Sequence, residues 1–372
     1  MGAAFSSSGF ARRRVVAGAI AVVAACLTLW CSGPGGAPVP TAAVEPILLE
    51  GHPEEIGRAH GRRLGPQIRL LEERYVGALV GDDAGRARAL AAAAGFRDRL
   101  RPHHRAELDA VAEAVGIDRE RMLLANCFLD LLPSVGCSAV ALPAAAAPDG
   151  VARLGRNLDF PSRGVADGHS HVLVVRPEGR HAFAAVTWPG LVGVLSGMNE
   201  HGLTLANMEV AREPRPAAAM PYALLYRTVL EECRTVAEAI ALVEREGRQT
   251  ANNLMLMDAA GDRALLEITP ERVVVRRAAA DAPLAATNHH RAGGQDPPRC
   301  DRYACLVADA ERDWGRLDRD ALHRTLALVS QGDLTLQSMI FEPRERVVHL
   351  AVGRDAARRR LRPIDLTEQF RR

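Results

Sequence analysis

The chain contains no lysine: all 47 of its Lys-plus-Arg residues are arginines, set against 45 acidic residues. Beside abundant alanine and glycine, the missing lysine reads as the coding bias of a GC-rich genome. The net charge is only +2, with both signs spread along the whole length. Nucleic-acid binding calls for a basic patch or stripe, so no nucleic-acid partner is expected. Neither an HExxH motif nor a Cys/His finger spacing is present. The pairs His103–His104, His169/His171 and His289–His290 therefore read as surface or loop histidines, and no metal or other cofactor is expected. There is no internal repeat of short period, and the Gly-Pro-Gly-Gly run near residue 35 is a tether rather than a phosphate loop. At 372 residues and 48% hydrophobic content, the chain supports one large domain or two small ones.

What is present begins with a targeting pattern. Arg12, Arg13 and Arg14 precede an apolar run over residues 15–30, the basic-then-apolar order of a secretory leader. The run of 16 residues falls just short of the ~17–25 needed to span a bilayer. Val23-Ala24-Ala25-Cys26 is similar to a bacterial lipoprotein signal, which makes Cys26 a candidate lipidation site, although Leu27, Leu29 and Trp30 continue the apolar run. The expectation is an exported, periplasmic or extracytoplasmic protein. Residues 1–31 would form a signal peptide, cleaved or lipidated, or a retained membrane anchor. Residues 32–46, rich in Gly, Pro and Ala, form a flexible linker. Five cysteines remain beyond the leader: Cys127, Cys137, Cys233, Cys300 and Cys305. An odd number in an exported chain leaves at least one thiol free, and no disulfide is expected.

From about residue 54 to 132 apolar residues recur with helical spacing, as in Ile56, Leu64, Ile68, Leu71 and Tyr75. At Cys137 the texture changes to short strands separated by turns rich in Pro, Gly, Asp and Asn. Strands are predicted over residues 137–142, 151–160, 171–176, 182–187, 192–197 and 203–208. Helices follow over 222–232 and 236–245, then strands, a second helical pair over 299–313 and 319–329, and two final strands. Blocks of strands alternating with blocks of helices predict an α+β layered fold rather than a doubly wound parallel sheet.

Cys137 heads one strand, and Arg156, Asn157 and Asp159 end the next. A thiolate is a strong nucleophile, but no histidine lies within thirty residues of Cys137 to serve as its base. Cleavage before Cys137 would supply one: a new α-amine, with an intrinsic pKa of roughly 7.7–8.0, on the same residue as the thiol. Gly136 has no side chain to hinder attack of that thiol on the preceding carbonyl. A hairpin through the turn at 143–150 would return Arg156, Asn157 and Asp159 to Cys137. Arg156 would favour the thiolate, and Asp159 would accept a hydrogen bond from the amine. Strand alternation places Asn157 and Asp159 on one face and Arg156 on the other, so convergence calls for a bulge or an approach from the strand end.

The segments GCSAVAL and GRNLDF resemble the N-terminal-nucleophile hydrolases related to choloylglycine hydrolase, acid ceramidase and N-acylethanolamine acid amidase. GHPEEIGRAHGRRL and the helical region after it are more similar to the penicillin acyltransferase branch, peptidase C45. The resemblance implies a four-layer αββα sandwich with a helical pro-region over 47–136 and a catalytic domain over 137–372. It implies autocleavage between Gly136 and Cys137, giving an α/β heterodimer. Cys137 matches the nucleophile, and Arg156 and Asp159 match the residues that hold its thiol and amine. GMNEHGLTLANMEV places Glu209 at an oxyanion-hole or active-site position. ATNHH makes Asn288 an oxyanion-hole donor, and Arg302, fourteen residues later, matches an active-site arginine. Asn252 and Asn253 are candidates for a polar wall.

The implied activity is cleavage of a linear N-acyl amide, a small molecule, through a Cys137 thioester. An acyltransferase moving the acyl group to an amine acceptor is the nearest alternative. A tethered, non-catalytic binding protein is a third reading, and the intact Gly136-Cys137, Arg156, Asp159 and Asn288 set argues against it.

Overall fold

The computed structural model describes residues 44–131, 136–211, 216–292 and 298–371. The leader, Cys26 and nearly all of the linker lie outside the described residues, as do residues 132–135. Among the described residues no helix is long and apolar enough to cross a membrane. Fourteen strands are described: β1 (Ile47–Gly51), β2 (Cys137–Leu142), β3 (Arg153–Asp159), β4 (His171–Pro177), β5 (Phe183–Thr187), β6 (Ser196–Asn199), β7 (Thr204–Glu209), β8 (Asn252–Met257), β9 (Arg263–Ile268), β10 (Val273–Arg276), β11 (Leu284–Ala286), β12 (Thr335–Glu342), β13 (Val347–Val352) and β14 (Arg362–Asp365). They form an eight-stranded sheet, β1-β4-β5-β6-β7-β8-β9-β10, and a six-stranded sheet, β11-β2-β3-β12-β13-β14.

The period-two pattern of the inner strands specifies the layers. In β2, Cys137, Ala139 and Ala141 join the main core, which they share with Leu205, Met255 and other residues of the eight-stranded sheet. Val140 and Leu142, between them, join a second apolar cluster under the later helices. β12 repeats the division, with Met339 and Phe341 in the main core and Ile340 in the second cluster. A sheet covered on both faces has no solvent side, and all six residues of β2 are buried.

The helices complete the outer layers. The N-terminal region supplies α1 (Pro53–Leu70), α2 (Asp83–Ala94), α3 (Pro102–Val115) and α4 (Arg119–Leu131). After β7 come α5 (Tyr222–Glu232) and α6 (Val236–Arg245), which pack on the eight-stranded sheet. α7 (Asp301–Arg312) and α8 (Arg319–Leu328) pack on the six-stranded sheet. The α+β sandwich of stacked sheets and flanking helices is thus the fold expected from the sequence.

Three local expectations change. The region 47–136 is not wholly helical, because β1 adds to the eight-stranded sheet as a parallel partner of β4. Five residues beside a Pro- and Ala-rich stretch carry little strand signal, and the pairing partner lies more than 120 residues away. A final strand, β14, also escaped sequence reading. The strand expected over 192–197 begins only at Ser196. The residues before it form a buried loop whose main-chain groups are served by side chains. His60 accepts from the Gly190 N–H, Asn126 bonds both Gly190 O and Val192 N, and Arg227 donates to Val192 O. Buried main-chain groups need such partners, and here helices α1, α4 and α5 provide them.

The same helices share a buried charge network. Arg227 on α5 is 1% exposed. It makes a bidentate pair with Glu107 on α3, at 2.8 and 2.6 Å, and bonds Glu231 at 2.8 Å. The other Glu231 oxygen meets His103 and His104, each at 3.2 Å. Burial alone would raise the Glu231 carboxyl, but Arg227 and the histidines more than offset it and hold it well below the usual range. Arg227→Met would take the bidentate partner from buried Glu107 and leave Glu231 with the histidines alone. Equilibrium urea unfolding should show a loss of about 3–5 kcal/mol.

Two buried histidines set an acid limit. Burial lowers His60 to about 4, with Arg227 adding to the effect. Burial also lowers His104 to about 4, against the pull of Glu231. The unfolded chain protonates both near 6.5, so between these values it binds more protons than the folded chain. Their contribution is complete above about pH 6.5 and falls as the pH drops toward 4, by up to about 3 kcal/mol per histidine. Urea midpoints measured from pH 7 to pH 4 should follow this slope, and His60→Gln should flatten it.

Candidate active site

β2 and β3 run antiparallel with Cys137 opposite Leu158 and Ala139 opposite Arg156. Arg156 therefore shares the face of the Cys137 side chain, one diagonal step away. Its Nη2 lies 3.5 Å from Cys137 Sγ, while Nη1 donates to Leu195 O and Ser196 Oγ, both at 2.5 Å. Asp159 would face away by simple alternation. It stands where the pairing of β3 with β12 slips, Thr335 lying opposite Asp159 and Gln337 opposite Leu158. The extra residue, Leu336, makes a β-bulge. The bulge lets the Asp159 carboxylate take Thr335 Oγ1 at 2.5 Å and Gln331 Nε2 at 2.7 Å, with Arg302 Nη1 at 3.5 Å. The Asp159 main-chain N–H reaches the Cys137 sulfur. Asn157 goes the other way, donating to Leu326 O of α8 and accepting from Ser338. It ties the sheet to the helix layer and stays out of the site.

Asn288 follows β11 and closes the site from the other side. Its Oδ1 accepts from the Cys137 N–H at 2.6 Å and from Arg302 Nη2 at 3.0 Å. Its Nδ2 donates to the main-chain oxygen of Glu209 at 2.7 Å. Two donors on one side and a carbonyl on the other fix which way the carboxamide points. Arg302 also donates to Cys137 O at 2.8 Å. In the intact chain the single Cys137 N–H is thus taken by Asn288, and the Asp159 carboxylate is held by Gln331 and Thr335. Glu209 meets the set through its main chain, while its buried carboxylate lies within electrostatic reach of Tyr222 and Tyr226.

The expected polar wall takes a different form. Asn253 donates to Thr287 O and His289 O, at 2.8 and 2.9 Å, and so braces the main chain on both sides of Asn288. Asn252 turns to Thr250 Oγ1, and its main-chain oxygen meets His290. Sequence reasoning missed Gln331, Thr335, Ser196 and Tyr222. A methyl group on Gly136 would come within 2.1 Å of Gln331 Nε2 and 2.9 Å of Arg302 Nη2. A side chain there would have to displace the Gln331 and Arg302 ends that bond Asp159 and Asn288. Nothing in the sequence around Gln331 marks it, because its role arises only when the bulge brings β12 to Asp159.

Cys137 is 7% exposed. Burial pushes its thiol above the ordinary range, Arg156 pulls it back, and Asp159 adds a smaller push upward. Asp159 is itself raised by burial, against the bonds from Gln331 and Thr335 and the charges of Arg302 and Arg156. The arrangement sets a thiol that burial disfavours from ionising against a guanidinium that favours it. An apolar cavity of about 60 Å³ adjoins this end of the strands, lined by Tyr75, Phe128, Phe160, Trp188, Leu195 and neighbours. Phe160 follows Asp159, and Leu195 supplies a carbonyl to Arg156, so cavity wall and site share two short segments. Among the other cysteines, Cys127, Cys233 and Cys300 are free thiols.

Stacked sheets between helical layers, with a cysteine opening an inner strand beside an arginine and an aspartate, define the N-terminal-nucleophile hydrolase class. The chain belongs to the acyl-coenzyme A:6-aminopenicillanic acid acyl-transferase family, whose model matches residues 146–357, more than half of the chain. The matched span includes Arg156, Asp159, Glu209, Asn288 and Arg302 and begins after Cys137. An uncharacterized protein of Archaeoglobus fulgidus is 22% identical over 268 residues, 61% of this chain; the match spans 44% of that relative's length. Among solved structures, a Caenorhabditis elegans N-acylethanolamine-hydrolyzing acid amidase ortholog has 17% identity and a TM-score of 0.45, covering 56% of this chain and 93% of its own. Penicillin V acylase from Agrobacterium tumefaciens has 15% identity and a TM-score of 0.46, covering 62% and 86%. A variant of conjugated bile acid hydrolase from Clostridium perfringens has 13% identity and a TM-score of 0.45, covering 62% and 93%.

The opposing influences on the thiol can be separated. Alkylation of Cys137 by iodoacetamide, followed by mass spectrometry across pH 7 to 10, reports the thiolate. Arg156→Met should slow it several-fold near pH 8, and Asp159→Asn should speed it.

Proposed function

We propose that the chain is a self-processing cysteine amidohydrolase that cleaves a linear N-acyl amide through a Cys137 thioester. The observation that carries the reading is the convergence of Arg156, Asn288 and Arg302 on one residue, each bonded to a different atom of Cys137. A structural cysteine needs no such set.

In self-processing, Sγ adds to the Gly136 carbonyl carbon and the Gly136–Cys137 C–N bond breaks. The thiol proton ends on the departing Cys137 nitrogen. Water then hydrolyses the thioester, leaving a Gly136 carboxylate, a free thiol and a free α-amine. The amine is the base that the intact site lacks, and Asp159 is the acceptor we assign to one of its hydrogens. In turnover, the thiol passes its proton to the amine as sulfur attacks the substrate carbonyl. The amine returns the proton to the leaving nitrogen, and water releases the acyl group. The Asn288 Nδ2 carries a second hydrogen beside the one bonded to Glu209 O, a donor for the oxyanion; losing one such donor typically costs ~10²–10³ in rate. The apolar cavity favours an apolar acyl group.

Transfer of the acyl group to an amine is the second reading, favoured by the acyl-transferase for which the family is named. Residues 1–31 form an export leader in this proposal. Water is the ready acceptor outside a cytoplasm supplied with acyl-CoA, which favours hydrolysis.

Intact mass and denaturing gels of the chain from Val44 onward test the reading. Two fragments are expected, the second beginning at Cys137, co-eluting under native conditions because the buried network joins them. Cys137→Ala should stay whole, and Gly136→Ala should mature roughly tenfold or more slowly, since small misplacements at a reacting centre carry such costs. A wild-type chain that stays uncut sinks the mechanism. A panel of N-acyl amides with and without amine acceptors then divides hydrolase from transferase.

A further inference from the structure

His181, just before β5, and Glu200–His201, in the turn between β6 and β7, converge at the end of the eight-stranded sheet remote from Arg156. His201 Nε2 lies 3.1 Å from His181 Nδ1, and Glu200 Oε1 lies 3.3 Å from His181 Nδ1 and 3.8 Å from His201 Nε2. A triangle with these sides has a circumscribed radius, the product of its sides over four times its area, of about 2.0 Å. One point therefore lies about 2.0 Å from all three atoms, matching the ~2.0–2.2 Å bonds of zinc to histidine nitrogen and carboxylate oxygen. We propose that His181, Glu200 and His201 form a site for a divalent transition-metal ion, zinc by preference, with water as the fourth ligand.

In the neutral tautomers hydrogen bonding serves the cluster only in part. If His201 donates to His181 Nδ1, the lone pair there is spent and the carboxylate faces it without a proton. If His181 donates to Glu200, the His201 lone pair faces an N–H already engaged. A cation satisfies all three lone pairs together.

The ligands are held before any ion arrives. His181 N donates to Glu231 O at 3.0 Å, and Glu200 N donates to Ala182 O at 2.8 Å. Ala182 N donates to Glu200 Oε1 at 3.2 Å. Asn199 Oδ1 accepts from the His201 and Leu203 N–H groups, fixing the turn. Gly202 completes that turn at φ +81°, with Pro343 O where a Cβ would stand. The side chains of His181, Glu200 and His201 are 18%, 27% and 33% exposed, so an ion has access and a water can complete its shell.

Arg234 and Arg346 lie near His201, and Arg346 Nε donates to Glu200 O at 2.6 Å. Their charge disfavours weakly held hard cations, and two imidazoles with one carboxylate suit zinc, cobalt or nickel over magnesium or calcium. In the neighbouring group His103–His104–Glu231 the atoms that face one another are already engaged. Arg180 donates to His103 Nδ1, leaving Nε2–H to bond Glu231, and Arg227 holds the other carboxylate oxygen.

Cobalt(II) added to the EDTA-treated, dialysed full chain tests the site. The expected result is a visible tetrahedral cobalt spectrum that saturates at one ion per chain and is displaced by one equivalent of zinc. Zinc should raise the thermal midpoint relative to EDTA, as any ligand of the folded state does. His181→Ala and His201→Ala should each weaken zinc binding at least tenfold. Glu200→Gln keeps the turn and loses the charge, and should weaken binding while leaving the midpoint in EDTA unchanged, which separates ligation from folding. Absence of the cobalt spectrum, a sulfur-to-cobalt charge-transfer band that marks a cysteine, or unchanged affinity in these variants overturns the proposal.

Discussion

The Asn288 carboxamide holds the two sheets together at the point where chemistry is proposed. It follows a strand of the six-stranded sheet, accepts from Cys137 N in the same sheet, and donates to Glu209 O at the end of the eight-stranded one. Arg302 uses the same oxygen, and Asn253 pins the main chain on both sides. A buried amide that loses one partner leaves a group costing about 1–3 kcal/mol unsatisfied. Here one such loss would also leave the Cys137 N–H without its acceptor. Asn288, with its donor and acceptor sides both engaged, thus joins the strand pairing and Arg302 in fixing Cys137 between the sheets.

Charge around Cys137 is arranged by the same economy. Arg156 is fully buried, and its guanidinium bonds a carbonyl, a hydroxyl and the sulfur. Asp159 stands three residues further along the same strand, turned by a bulge toward a glutamine. Burial raises both the thiol and the Asp159 carboxyl, and Arg156 pulls against it at each. Changing a peptide N–H into an amine adds hydrogens and a lone pair where Asn288 and Asp159 stand. Under the proposed self-processing, breaking the one bond before Cys137 is what would supply a base.

Much of this arrangement was legible in the sequence because it rests on local pattern. The helices at Tyr222–Glu232 and Val236–Arg245, and the strands at Cys137–Leu142 and Val273–Arg276, lie where periodicity and turn residues put them. The convergence of Cys137 with Arg156 could be named from a hairpin. The route of Asp159 could not, because a one-residue slip in pairing with a strand more than 170 residues later has no local signature. Gln331 and Thr335 were hidden for that reason. The strand β1 and the loop before Ser196 were missed for a related one: their main-chain partners come from distant segments, and propensity gives way to those contacts.

That loop also explains how a cut chain would stay together. Residues 188–195 have no ladder of their own, and their buried N–H and C=O groups depend on His60 and Asn126 from before the cleavage point and on Arg156 and Arg227 from after it. The loop carries Leu195, whose carbonyl fixes Arg156, and Trp188, which lines the apolar cavity. Breaking the bond before Cys137 removes none of these contacts, nor the pairing of β1 with β4 or of Glu107 with Arg227. The segment before Cys137 is therefore built into the sandwich rather than laid over it. Were the chain cut as proposed, that segment, which supplies one sheet strand and partners for a wall of the site, would have to remain for the site to keep its shape.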